Sequence, residues 1–326
     1  MTDLHKIFEI DSAEMFRQYA LEIFRRQSRE LPVYREFLQA LNCHPADVTS
    51  LEQIPFLPVE FFKSRTILLE GKQPQTVFTS SGTQGQTTSS HPVADLKLYE
   101  ESFMSAFRKF YGDPEEYCLL ALLPSYLERE GSSLVYMAEK LVVATRNPES
   151  GFYLHQYEAL ADKLKMLKAA KQKTILLGVT YALLDLAASF PVDFPELIIM
   201  ETGGMKGRRK EMVREEVHKV LCQAFGTQAI HSEYGMTELL SQAYSKGQGI
   251  FATPPWMKVM IRDIHDPFLL LPPGRTGCIN IIDLANANSC SFLATGDLGK
   301  CHTDETFEVS GRFDQAEIRG CNLMVE

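Results

Sequence analysis

Short apolar runs and segments with helical spacing alternate along most of the chain. The runs 117–123, 173–177 and 196–200 are largely apolar, as strands buried on both faces of a sheet are, and 228–230 is predicted as a fourth strand. Alternating strands and helices predict an α/β layer fold with a largely parallel sheet. The helices predicted between and after these strands are 132–141, 157–170, 180–189 and 205–225.

The two ends of the chain have different patterns. The first 110 residues predict mostly helix, with a capping box at Asp11–Glu14 and a helix that follows Asp95 and stops at Gly112. From about Phe251 the pattern predicts strands at 256–264, 277–284 and 305–310. We therefore expect an α/β core over 1–250 and a β-rich subdomain over 251–326 with a hinge-like C-terminal segment.

The segment 79–91 is rich in hydroxyl side chains, holds two glycines and has no Asp, Glu, Lys, Arg or aliphatic residue. It follows a β-prone stretch and precedes a helical one. Such a loop can bind a phosphate chain with backbone N–H and side-chain O–H groups. A flexible polar linker is the alternative.

Polar clusters follow the predicted strands. Because ligands of open α/β sheets bind at the carboxyl ends of strands, these clusters predict a binding site. They are 79–91, 124–128, Gly178, 202–204 and 231–238.

Composition narrows the function classes. The chain has 326 residues, 45% of them hydrophobic, and a net charge of −9, which argues against nucleic-acid binding as its main role. We expect no signal peptide and no membrane span, because the longest apolar stretch is short. The seven cysteines show no C-x-x-C spacing, which predicts reduced thiols and a cytoplasmic location.

Five segments in order resemble motifs of the adenylate-forming superfamily, which contains acyl- and aryl-CoA ligases, adenylation domains and luciferases. That resemblance implies the superfamily's N-terminal-domain fold, with ATP and Mg²⁺ as cofactors and a small carboxylic acid as substrate. The segments are Thr79–Gly85 (phosphate loop), Thr202–Gly204, Tyr234–Glu238, Thr295–Asp297 and Gly311–Asp314 (hinge).

Two further segments, 124–133 and Ile318–Cys321, narrow the resemblance to the acyl-protein synthetases of bacterial bioluminescence. This implies that a fatty acid is activated as acyl-AMP and then transferred to the enzyme's own cysteine as a thioester. An acyl reductase or an acyl-carrier protein is the partner that it implies, and a homo-oligomer is compatible with it.

The resemblance also implies residue roles. Glu238 would hold Mg²⁺, Thr237 would contact the α-phosphate, and Cys321 would accept the acyl group. Asp297 would bind the ribose hydroxyls, and Arg312 would assist at ribose or phosphate. The remaining nucleotide-binding residues are Thr79, Ser80, Ser81, Gly82, Thr83 and Gly85 in the phosphate loop, Gly203, Gly204 and Tyr234 at adenine, and Gly235 of the Tyr234–Glu238 motif.

Simpler structural roles remain open for these residues. Glu238 would be a dipole partner at a helix start, Asp297 part of a turn, Arg312 half of a surface salt bridge, and Cys321 a small buried residue. His231 either lines the acyl pocket or is a core histidine.

Two features depart from the family pattern. Residues 86–90 lack the usual loop lysine, and the chain ends soon after Asp314, so we expect the mobile C-terminal lid domain to be absent. An acyl- or aryl-CoA ligase, or an adenylating subunit that needs a partner's lid, is therefore one alternative function. A non-catalytic nucleotide-binding scaffold is another.

Overall fold

The structure is a computed structural model that describes residues 4–80, 88–124, 131–203 and 212–313. None of the helices in these ranges is both long enough and apolar enough to cross a membrane. The helices are α1 (Ala13–Glu30), α2 (Pro32–Ala40), α3 (Phe61–Ser64), α4 (Leu96–Tyr111), α5 (Ser133–Ala144), α6 (Tyr157–Ala169), α7 (Thr180–Ser189) and α8 (Arg214–Phe225). The strands are β1 (Leu57–Pro58), β2 (Thr76–Thr79), β3 (Ser90–Val93), β4 (Cys118–Leu122), β5 (Gly151–Tyr153), β6 (Thr174–Val179), β7 (Ile198–Thr202), β8 (His231–Tyr234), β9 (Ala243–Ser245), β10 (Ile250–Ala252), β11 (Met257–Arg262), β12 (Thr276–Asp283), β13 (Phe292–Cys301) and β14 (Phe307–Arg312).

Two helix starts show how local sequence sets the element bounds. The α4 helix begins as predicted, because the Asp95 carboxylate accepts from two backbone N–H groups of the first turn, and it ends at Gly112 with φ 90°. At α1 the cap is Ser12 rather than Asp11, and Glu14 bonds to Arg17 instead of closing a capping box.

The chain forms two compact units, one of Met1–Gln73 with Pro255–Glu326 and one of Pro74–Pro254. This division differs from the expected 1–250 and 251–326, because the N-terminal helices pack with the C-terminal strands. The Gln27 side chain is fully buried, donates to the Asn286 carbonyl at 3.0 Å, and accepts from Ser291 N–H at 3.0 Å. In addition, β1 pairs with β13 in parallel.

The Pro74–Pro254 unit contains the predicted parallel sheet. Its strand order is β5-β4-β6-β7-β8, all parallel, followed by β9 and β10 in antiparallel pairing. Every residue of β4 and β6 is buried, as their apolar sequences predict. The α/β expectation is confirmed for this unit.

Strand β8 corrects the prediction of a strand at 228–230. The strand lies at His231–Tyr234, and its two central residues, Ser232 and Glu233, are polar and buried. An apolar run does not mark this strand, because its buried residues are polar and have their hydrogen-bond partners on a neighbouring strand. Likewise α8 begins at Arg214, nine residues after the predicted start at 205, and residues 204–211 lie outside the described ranges.

The segment 79–91 is also placed differently from the prediction. Strand β2 pairs with β3 in a separate two-stranded antiparallel hairpin, with Phe78 opposite His91. The segment therefore joins two strands of a hairpin, and does not follow a strand of the parallel sheet or lead directly into a helix.

The other unit contains an antiparallel meander, β11-β12-β13-β14. Strands β11, β12 and β14 match the predicted ranges, whereas β13 was not predicted as a strand. The core of this unit includes Phe24, Tyr34 and Phe292, whose ring centroids lie about 6 Å apart in stacked and edge-on contacts. Trp256, which is 2% exposed, packs edge-on against Phe8 at 4.9 Å.

Candidate active site

The carboxyl ends of β7 and β8 carry a buried carboxyl–hydroxyl pair. Thr202 and Glu233 lie opposite each other in register, and the Thr202 hydroxyl donates to Glu233 Oε2 at 2.5 Å. Burial raises the pKa of Glu233 to about 7, against the lowering effect of the Thr202 bond. Glu233 is therefore a proton-holding group next to the Tyr234–Glu238 motif.

Gly235 is a glycine for steric reasons. A Cβ at this position would lie 2.4 Å from Glu233 Oε1 and 3.4 Å from the Gln242 side chain. The Glu233 carboxyl group thus occupies the space beside the second residue of the motif.

The adjacent residue of β7, Glu201, holds a second network. Its carboxylate accepts from Ser232 and from His218 of α8, each at 3.0 Å, and Arg214 lies 3.4 Å away. Although burial opposes ionisation, the His218 bond and the nearby charges keep the pKa of Glu201 below its ordinary value. Charge and hydrogen bonds therefore fix the start of α8 to the end of β7.

The same network reaches Gly203, one of the predicted adenine-contact residues. The Thr180 hydroxyl, at the start of α7, lies 2.9 Å from the Gly203 carbonyl oxygen and 3.1 Å from Glu201 Oε2. Gly203 has φ 70°, a conformation that favours glycine. Its predicted partner Gly204 lies outside the described residues.

Thr237 and Glu238 lie in a turn after β8, closed by the bond from Leu239 N–H to the Met236 carbonyl at 3.1 Å. No helix starts there, so the role of a helix-dipole partner for Glu238 is wrong. Glu238 is 8% exposed, and the Thr237 carbonyl lies 2.8 Å from His91 Nδ1. Tyr234, the last residue of β8, packs edge-on against Phe251 at 6.0 Å.

The base of the hydroxyl-rich segment is held by backbone bonds. Thr79 N–H donates to the Gly131 carbonyl at 2.8 Å, and Ser80 N–H to the Ser89 carbonyl at 3.0 Å. Ser89 N–H in turn donates to Ser80 Oγ at 2.8 Å. The predicted phosphate-contact residues Ser81, Gly82, Thr83 and Gly85 lie outside the described residues.

His231 begins β8 and is partly buried. Its Nδ1 lies 3.2 Å from Tyr111 Oη. Burial and the charge of Lys246 lower the pKa of His231 to about 4, so the imidazole is neutral near pH 7.

In the other unit, Asp297 and Arg312 form a cross-strand pair on β13 and β14. Arg312 Nε lies 3.5 Å from Asp297 Oδ1, and the Arg312 side chain is 82% exposed whereas Asp297 is mostly buried. The alternative interpretation of Thr295–Asp297 as a turn is wrong, since these residues belong to β13. The ion pair is the geometry expected of either a surface salt bridge or a ligand-binding pair.

Two more predicted features bear on the site. Cys321, with the rest of the segment from Asp314 onward, lies outside the described residues. Within the described ranges, no group of three or more His, Cys, Asp and Glu side chains is arranged to hold a metal ion. Mg²⁺ is usually held by one or two carboxylates together with substrate phosphates, and Glu238 is the carboxylate that the resemblance assigns to it.

Sequence reasoning missed Glu201, Thr202 as a side-chain partner, Glu233 and His91. The available signal was the presence of polar residues at strand positions, directly before the Thr202–Gly204 and Tyr234–Glu238 motifs.

Solved structures share this fold. 2-Hydroxyisobutyryl-CoA ligase in its postadenylation state with R3-HIB-AMP superposes with a TM-score of 0.67 at 13% identity, over 92% of this chain and 68% of that chain. The chain has the fold of an acyl-CoA ligase. An open form of that ligase with 2-HIB-AMP and CoA superposes with a TM-score of 0.65 at 14% identity, over 93% of this chain and 70% of that chain. The fold that the five motifs implied is thereby confirmed.

ATP-bound MatB from Rhodopseudomonas palustris gives a TM-score of 0.55 at 18% identity, over 72% of this chain. The chain spans 47% of the length of that MatB structure. No family model matches the sequence, and no curated protein matches it.

Proposed function

We propose that this protein activates a carboxylic acid with ATP. The acid's carboxylate oxygen attacks the α-phosphorus, the bond to the β-phosphate oxygen breaks, and acyl-AMP and pyrophosphate form. The observation that carries the proposal is the Thr237–Glu238 turn, which follows the last parallel strand and is joined by His91 to the hairpin with the hydroxyl-rich segment. In an acyl-CoA ligase fold, a carboxylate next to a hydroxyl-rich segment can bind the metal ion and the phosphates of a nucleotide.

The reaction brings together two anionic substrates, so catalysis depends on positioning and charge neutralisation. Glu238 would hold Mg²⁺, which would supply positive charge to neutralise the phosphates. The Thr237 hydroxyl would contact the α-phosphate, and the donors of the segment that starts at Thr79 would contact the β- and γ-phosphates. Gly203 would let the backbone approach adenine, and Tyr234 would stack on it.

In the unit that contains β13 and β14, we propose that the Asp297 carboxylate accepts hydrogen bonds from the ribose hydroxyls. Asp297 is held by its own backbone N–H, which donates to Thr295 Oγ1 at 3.1 Å. The exposed Arg312 guanidinium would then balance the charge of Asp297 or of a phosphate.

The second step that we propose is transfer to a thiol. A thiolate attacks the acyl carbonyl, the bond to AMP breaks, and a thioester and AMP result. The candidate acceptor is Cys321, with a fatty acid as the acyl group and an acyl reductase or carrier protein as partner. Burial raises the pKa of Cys290 to about 12 and that of Cys301 to about 11, so these two thiols are weak nucleophiles.

A second candidate acceptor is CoA. It is favoured by the superposition on 2-hydroxyisobutyryl-CoA ligase in complex with 2-HIB-AMP and CoA. The two candidates share the adenylation step and differ only in the thiol that attacks the acyl-AMP.

Acid-dependent ATP–pyrophosphate exchange tests the first step. With a panel of fatty, aryl and short hydroxy acids, we expect exchange that falls by about 100-fold or more in Glu238→Gln. Glu158→Gln, which removes an exposed carboxylate of α6, is the matched control and should retain full exchange. If ATP binds but no acid supports exchange, the adenylation proposal is wrong, and a nucleotide-binding scaffold becomes the better description.

Labelled acyl transfer separates the acceptors. A protein-bound label that is lost in Cys321→Ala and kept in Cys222→Ala, while exchange is unchanged, supports Cys321. Label on the protein that survives Cys321→Ala contradicts that role. Stoichiometric consumption of free CoA supports a CoA ligase instead.

A further inference from the structure

His91 is a fully buried histidine that the proposed chemistry does not use. It is 0% exposed and lies in β3, at the end of the hydroxyl-rich segment that begins at Thr79. Its Nδ1 lies 2.8 Å from the carbonyl oxygen of Thr237, a residue 146 positions later in the sequence. A buried polar ring in a short hairpin strand therefore makes a hydrogen bond to the turn that carries Glu238.

The acceptor defines the state of the ring. A carbonyl oxygen only accepts hydrogen bonds, so His91 Nδ1 carries the hydrogen and donates it. Burial lowers the pKa of His91 to about 4, with the bond to Thr237 acting in the opposite direction, and the ring is neutral near pH 7. The bond is thus present in the Nδ1–H tautomer over the whole neutral pH range.

The bond acts on Glu238 through the backbone. The Thr237 carbonyl and the Glu238 N–H belong to one planar peptide unit, so fixing that oxygen fixes the plane from which the Glu238 Cα departs. On the other side, β3 is paired to β2, and Thr79 at the end of β2 is held by the Gly131 carbonyl. A continuous set of hydrogen bonds therefore runs from the base of the hydroxyl-rich segment to the peptide that carries Glu238.

We propose that His91 is a positioning residue that holds the Thr237–Glu238 turn in register with the β2–β3 hairpin. This inference rests on the proposed function, in which the hairpin segment binds phosphates and Glu238 binds the accompanying Mg²⁺. A displacement of about 1 Å between such groups costs on the order of 100-fold in rate. His91 acts through Thr237 and does not itself contact the nucleotide.

The test compares three substitutions that differ in where they place a donor. Asn at position 91 puts its amide nitrogen near the place of Nδ1, Gln puts it farther out near the place of Nε2, and Phe fills the space without a donor. Substitution of residues that orient a metal ligand lowers metal affinity by about 10- to 100-fold. We therefore expect the Mg²⁺ concentration for half-maximal ATP–pyrophosphate exchange to rise by about 10- to 100-fold in His91→Phe and His91→Gln. In His91→Asn it should stay within about threefold of the wild-type value.

The pattern across the variants decides the outcome. A purely structural role for His91 predicts the same Mg²⁺ requirement in every variant that folds, and that result overturns the proposal. Equal Mg²⁺ requirements in His91→Asn and His91→Gln also overturn it. If His91→Phe does not fold, the comparison between the two amides, which are both polar and of similar size, remains decisive.

A second measurement separates this inference from the proposed function. Binding of ATP is measured by calorimetry, with Mg²⁺ and with EDTA. If the wild-type protein shows no exchange with any acid, adenylation is wrong, but a Mg²⁺-dependent loss of ATP affinity in His91→Phe that His91→Asn restores still supports the positioning role. If Mg²⁺·ATP does not bind to the wild-type protein, both proposals fail.

Discussion

Replacing Glu233 with glutamine should make the protein more stable at alkaline pH and leave it nearly unchanged at acidic pH. Glu233 is 8% exposed, and burial raises its pKa from 4.5 to about 7. Glutamine has the shape of the protonated acid and keeps an oxygen that can accept from the Thr202 hydroxyl. The variant therefore removes the titration and retains the packing.

The sign follows from proton binding in the two states. In the unfolded chain this carboxyl group loses its proton near pH 4.5, whereas in the folded protein it keeps the proton until about pH 7. Glu233 therefore contributes stability that is fully present below pH 4.5 and is lost as the pH rises through about 7. At about 1.4 kcal/mol per pKa unit, the loss between pH 5 and pH 8 is about 2 to 3 kcal/mol.

The assay is urea denaturation of wild type and Glu233→Gln at several pH values from 5 to 8, followed by circular dichroism. His91 and His231, whose pKa values are lowered to about 4, act in the opposite direction, because their contribution is lost as the pH falls from about 6.5 through 4. They are common to both proteins and cancel in the difference. Glu158→Gln, at an exposed position, should follow wild type at every pH. A difference between wild type and Glu233→Gln that stays constant from pH 5 to pH 8 would refute the reasoning.

Two further predictions concern the core, and urea denaturation measures both. Glu201→Ala leaves the Ser232 and His218 donors without their shared acceptor, so we expect the free energy of unfolding to fall by about 3 to 5 kcal/mol. The control Asp162→Ala, which breaks an exposed pair with Lys165, should lower it by less than about 1 kcal/mol. Similar losses in the two variants would show that the Glu201 network adds no stability. Gly277→Ala would place a Cβ 2.2 Å from the Arg262 carbonyl oxygen, so we expect it to destabilise the protein by about 2 kcal/mol or more. Gly151→Ala, with no atom within 4 Å of the added Cβ, should change stability by less than about 1 kcal/mol. Equal effects of the two substitutions would contradict the steric argument.

The elements that the sequence predicted well are those whose stability comes from apolar burial. Strand β4 is buried at every position, and α7 spans the predicted 180–189. In both, the residues that define the element also fill the core, so the pattern of the sequence and the pattern of burial coincide.

Strands that depend on polar or distant partners could not be predicted in this way. Ser232 and Glu233 of β8 can be buried because each has a hydrogen-bond partner on β7. Ser232 donates to Glu201, and Glu233 accepts from Thr202, and such pairing is set by register between strands. Strand β13 contains a glycine and an aspartate at its centre, and it is held by pairing with β12 and β14. No local property of either segment distinguishes it from a loop.

The same distinction between local sequence and distant contacts applies to the candidate site. The motif 234–238 could be recognised by its residue types, but His91 could not be linked to it, because the contact joins positions 146 residues apart. Gly235 shows how the two kinds of information combine. The resemblance assigns this glycine to nucleotide binding, whereas the structure shows that the Glu233 carboxyl group occupies the position that a side chain at 235 would take. A glycine that a motif assigns to ligand binding thus also makes room for a buried acid, so loss of activity in Gly235→Ala would not by itself show contact with the nucleotide. The double variant Glu233→Ala/Gly235→Ala separates the two effects, because removal of the carboxyl group removes the clash and leaves only a loss that comes from contact with the nucleotide.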